Sequence, residues 1–95
     1  MENLKEIGLK IFEAIFSGAK IVEIDDKEHE IKKFSSGIKF LDLFGYRFIE
    51  QNRNKKSQWG KKAREGHQIM WIIKHRRYLV QIIDGEFRDL SKKET

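Results

Sequence analysis

The chain has 95 residues, 37% of them charged, a formal net charge of +5, and neither cysteine nor proline. That length fits one domain with a small core, and the lack of cysteine excludes a disulfide framework and thiolate zinc sites, leaving three histidines as soft metal ligands. High charge with thirteen isoleucines against two valines matches a thermophile composition and suggests an archaeal source, though an AT-rich genome gives the same bias.

The first segment, MENLKEIGLKIFEAIFSG, is interrupted by charges every few residues, so it reads as neither a signal sequence nor a membrane span, and a cytoplasmic protein is expected. It predicts an amphipathic helix over residues 2–17, closed by Gly18. Leu4, Ile7, Gly8, Ile11 and Ile15 form one core-facing stripe, flanked by Ala14. Leu9, Phe12 and Phe16 widen the apolar arc to about 220°, beyond the roughly 100° that one-sided burial needs. Their cover is either another part of this small fold or a second copy of the chain, the latter giving a homodimer through this helix.

Next, KIVEI and HEIKKF flank the polar DDKE and predict a hairpin over 20–24 and 29–34, with Asp25, Asp26 and His29 at its turn. IKFLDLFGYRFIEQN is expected to be one long strand bent or bulged at Gly45. Ser57 is suited to cap a short helix over 58–65, with Gly66 following; Trp59 and Ala63 then face inward while Lys61, Lys62 and Arg64 face water. HQIMWIIK and YLVQIID are apolar on both faces and predict central strands at 68–74 and 79–83, joined by a tight basic turn. Asp84-Gly85 is a turn signal leading to a last strand, and residues 91–95 are expected to fray. The result is a single α+β domain, 1–95, of order α-β-β-β-α-β-β-β with a mostly antiparallel sheet of five to six strands.

Charge is unevenly spread, because residues 47–77 hold ten basic and two acidic side chains. Three groups stand out there: the loop residues Arg53, Lys55 and Lys56; the helix residues Lys61, Lys62 and Arg64; and Lys74, Arg76 and Arg77 at the hairpin tip. With Asn52 and Asn54 as polar partners, they are candidate contacts for nucleic acid, DNA or RNA, bound through phosphates with little sequence specificity. Lys55, Lys56 and the Ser57-capped helix start suggest a phosphate contact. The plainer reading is a solvated lysine-rich surface, which explains the scarcity of acids here poorly. Trp59 and Trp71 are read as core residues, not stacking platforms.

An enzymatic reading rests on strand register. If the last hairpin closes with a three-residue turn, 74 pairs with 78 and 68 with 84, which brings His67 to Asp84, with Glu50 near the same edge; such a cluster can transfer protons in a hydrolase or nuclease. The plainer reading is a histidine making one structural hydrogen bond. A nuclease site built from Asp42, Glu50 and a lysine has no supporting spacing. His67 and His75 bracket one strand roughly 26 Å long, too far apart to share a metal. No nucleotide-loop, nucleophile-elbow or metalloprotease motif occurs, and no metal or cofactor is expected.

Overall fold

The computed structural model describes residues 3–91, so the expected fraying of 92–95 lies outside the described residues. Helix α1 (Leu4–Ser17) is followed by strands β1 (Ile21–Ile24), β2 (Lys27–Glu30), β3 (Lys32–Lys33), β4 (Lys39–Leu43) and β5 (Tyr46–Glu50). Helix α2 (Gln58–Arg64) then precedes β6 (Ile69–Lys74), β7 (Arg77–Ile83) and β8 (Glu86–Asp89). β1 and β2 form a separate ribbon, and the other strands form a six-stranded antiparallel sheet in the order β3-β4-β5-β6-β7-β8. The α+β class and the antiparallel sheet are as the sequence implies. No helix among the described residues is long and apolar enough to cross a membrane.

α1 starts at Asn3, whose side chain accepts the Glu6 N–H, and ends at Gly18, whose φ of 80° lets the chain leave the helix. Its stripe buries Ile7, Gly8, Ile11 and Ile15 against Phe48, Met70, Ile72, Val80 and Ile82 on one face of the sheet. Each fully buried isoleucine contributes roughly 1.5–3 kcal/mol relative to exposure. Gly8 permits the close approach, since a Cβ there would stand 3.0 Å from the Ile72 side chain.

Three expectations need correction. The run 38–52 is not one bent strand: Phe44 and Gly45, with φ of 55° and 80°, make a two-residue turn that folds β4 onto β5. A phenylalanine in the turn had hidden the break. The first hairpin turns at Asp25-Asp26 alone, so His29 lies within β2 opposite Val22 instead of at the turn. The stretch 29–34 is split, because the Ile31 N–H bonds to the Lys20 carbonyl at 2.8 Å and the chain then passes into the main sheet as β3.

Candidate functional site

The cationic stretch after β5 is an organised loop. The Asn52 side chain accepts the Asn54 N–H at 2.8 Å, and its carbonyl accepts the Lys55 N–H at 3.4 Å and the Gln51 amide at 3.1 Å. Ser57 caps α2 by accepting the Gly60 N–H at 3.1 Å. Arg64 reaches back from α2 and donates to the carbonyls of Arg53 and Lys55. Asn52 and Arg64 thus shape the loop, and Arg53, Lys55 and Lys56 are exposed on it. Gly60 is the residue that lets helix and loop meet, because a Cβ there would lie 1.9 Å from the Lys55 carbonyl oxygen.

α1 seals one face of the main sheet, whereas α2 covers only part of the other, over Ile69, Trp71 and Ile83. Beyond α2 this second face forms an open trough of two adjoining recesses, about 710 Å³ and 260 Å³, that share Ile49, Ile73 and Tyr78. Tyr78 is there because of a β-bulge: β6 and β7 pair Lys74 with Arg77 and Ile73 with Tyr78, but Ile72 with Val80, leaving Leu79 extra. Without that extra residue Ile73 would face Leu79, and Tyr78 would point to the α1 side. Instead Leu79 packs with the α1 core, and the Tyr78 ring meets Trp71 edge-on at 5.1 Å. Trp71 in turn meets Trp59 at 5.6 Å, and its indole N–H donates to the Gln51 side chain at 2.7 Å, so the row of aromatics is anchored at its base.

On the β4 side, Phe34 stacks on Phe40 at 4.2 Å and the Arg47 guanidinium lies 5.5 Å and 4.9 Å from their centroids. Arg47 is also held by two bonds, 2.8 Å and 2.9 Å, to the Asp42 carboxylate. That pairing lowers the Asp42 pKa, chiefly through the hydrogen bond, and raises that of Arg47 by the same bond. Tyr78 is 53% exposed and Phe34 39% exposed, unusual for aromatics with such neighbours.

Lys55 lines the smaller recess, while Arg47, His75 and Arg76 line the larger one. Lys61, Lys62 and Arg64 belong to α2 at the same side of the sheet, with the Lys62 ammonium 4.9 Å from the Trp59 ring. Lys74 and Arg77 are different: their register, and the 4.8 Å approach of the Lys74 ammonium to Tyr46, put them on the α1 side. The three groups of cations therefore do not make one face. Two carboxylates also line the trough, Asp42 in the larger recess, bound to Arg47, and Glu50 in the smaller one, where one oxygen accepts the Lys39 N–H at 2.8 Å.

His67 and Asp84 do meet, at 2.7 Å. The turn is shorter than the sequence suggests, two residues instead of three, but the bulge restores the offset and the Asp84 N–H bonds the Gln68 carbonyl at 2.8 Å. The other Asp84 oxygen accepts the Gln68 N–H at 2.9 Å, so the carboxylate clasps the start of β6 to the β7–β8 turn. These bonds, that of His67 first, lower the Asp84 pKa. Glu50 lines, besides the smaller recess of the trough, a further recess of about 180 Å³ with His67 and Arg53. No group of three or more His, Cys, Asp or Glu that could hold a metal is found among the described residues. On α1, Phe12 is buried by the chain itself and meets Phe16 in a tilted contact at 4.8 Å, while Leu9 and Phe16 are half-buried beside a shallow apolar recess.

Sequence reasoning missed Arg47, Phe34 and Phe40 as site residues. Once residues 39–50 are taken as a hairpin with a two-residue turn, Phe40, Asp42, Arg47 and Ile49 alternate onto one face, so the signal was present. The bulge that delivers Tyr78 has no comparable signal. Compared with protein-family models, curated proteins and solved structures, the chain finds no match.

Proposed function

We propose that this protein binds nucleic acid, mainly through electrostatic contacts with little sequence specificity. One observation carries the proposal: Arg47, Lys55 and Arg76, from three separate stretches of chain, line the trough on the sheet face that α1 leaves uncovered. The α2 lysines add positive charge on the same side of the sheet, and of the two carboxylates that line the trough Asp42 is offset by Arg47 while Glu50 keeps its charge and accepts the Lys39 N–H. A polyanion gains from such an array by releasing condensed counterions, and phosphates place no demand on base order.

Salt dependence tests this directly. Labelled oligonucleotides titrated with protein should lose affinity about a thousandfold between roughly 50 and 200 mM salt if six phosphates are contacted. Lys55→Ala and Arg76→Ala should each lower the slope of log affinity against log salt by about one, with little change in sequence preference. Absence of binding to every oligonucleotide at the lower salt would overturn the proposal.

A further inference from the structure

We infer that the trough is built for single strands, taking unstacked bases onto Tyr78 and Phe34 while the rim cations hold the sugar-phosphate chain. This rests on the nucleic-acid reading above and names the form of the ligand. Three features of the trough point there. Tyr78 stands on the boundary between the two recesses and lines both, so a ring bound in either one has its side chain for a wall. Its ring is half exposed yet braced by Trp71, so its aromatic surface is offered to a ligand at little cost in side-chain entropy. The bulge at Leu79 directs it to this face, and bulges recur where a side chain is re-aimed at a site.

Phe34, 39% exposed and backed by Phe40, supplies a second aromatic surface, and Arg47 lies beside that pair. Duplex DNA or RNA hides its base faces in the stack and cannot use these rings; a single strand can, because every base has a π-face whatever its identity. Charge complementarity selects the occupant: Asp42 and Glu50 also line the recesses, but Asp42 is offset by Arg47, and Lys55, Arg76, Lys61 and Lys62 outnumber the remaining Glu50, which suits a polyanion threading past the aromatics. Sheet readers of this kind stack about two or three bases.

Anisotropy titrations at low salt, with a labelled 12-mer offered as single-stranded DNA, as single-stranded RNA of the same sequence and as duplex, test the inference. Single strands should bind at least about tenfold more tightly than duplex. Tyr78→Ala should weaken single-strand binding by about five- to a hundredfold, leave duplex binding and the salt slope unchanged, and be rescued by Tyr78→Phe. Phe34→Ala should act in the same direction, guarding against a single variant that fails to fold. A preference of DNA over RNA, or the reverse, shows whether the 2′-hydroxyl is sensed, and either result fits the inference. Equal binding of single strand and duplex, with both variants like the parent, would overturn it and leave the electrostatic proposal standing. Failure to bind any form would remove both.

Discussion

Gly60 shows how one residue positions the site. In the middle of a helix, alanine is normally better than glycine by about 1 kcal/mol. Here the methyl group would stand 1.9 Å from a backbone carbonyl held in place by Arg64, so helix or loop must shift. Overpacking of this kind costs about 1–3 kcal/mol and outweighs the gain in helix propensity. Gly60→Ala is accordingly expected to lower the thermal midpoint and to weaken oligonucleotide binding by displacing Lys55; an unchanged midpoint would contradict this contact. The sequence revealed the inward positions Trp59 and Ala63, because they share a helix face. It did not reveal the purpose of Gly60, whose partner is a main-chain oxygen with no side-chain signature. His67 and Asp84 were anticipated from a three-residue turn, and they meet because a two-residue turn plus the extra residue Leu79 gives the same offset.

Among the elements, four hairpins turn on two residues with positive φ: Asp25-Asp26 (51°, 63°), Phe44-Gly45 (55°, 80°), His75-Arg76 (50°, 63°) and Asp84-Gly85 (51°, 86°). Such turns favour Asn-Gly, because a Cβ in the left-handed region meets the neighbouring carbonyl. Of the four, the sequence signalled only Asp84-Gly85 clearly. Neither Asp25-Asp26 nor His75-Arg76 contains glycine, and arginine at the second position is the poorest fit. Replacing His75 by Asn together with Arg76 by Gly is expected to raise stability by about 1–2 kcal/mol while reducing affinity for oligonucleotides. The same exchange at Asp25 and Asp26 should stabilise less, because aspartate tolerates this conformation, and should leave binding untouched. Thermal unfolding and titration of the two variants side by side check both halves; loss of affinity in both would mean that turn chemistry, not Arg76, governs binding.

At the scale of the whole molecule, the sheet has one sealed and one open face, and folding depends on charge as well as on the core. Asp42 and Asp84 both have folded pKa values below the ordinary one, through their bonds to Arg47 and His67 respectively. Each therefore favours the folded state above about pH 4, and that contribution fades as pH falls through the lowered folded value. The exposed Asp42–Arg47 pair contributes no more than about 1 kcal/mol, since solvent and salt screen it. Acid titration of thermal stability should show a shallower loss below pH 4 in the Asp42→Asn/Asp84→Asn double variant than in the parent; identical curves would show that neither pair is coupled to folding. The general architecture was readable because α1, β6 and β7 carry strong apolar patterns. The open trough was not, because it arises from a hairpin disguised as one strand and from a single extra residue in β7. The order of strands has a further consequence. The outermost strands, β3 and β8, are only two and four residues long. β3 consists of Lys32 and Lys33, and β8 alternates charge with Phe87. Short margins give an approaching backbone little to hydrogen-bond to, and charged side chains there must be desolvated before another strand can add. A chain that leaves aromatic rings uncovered on its sheet thereby limits strand addition at the edges, so the exposure of that face does not extend to the backbone of the sheet.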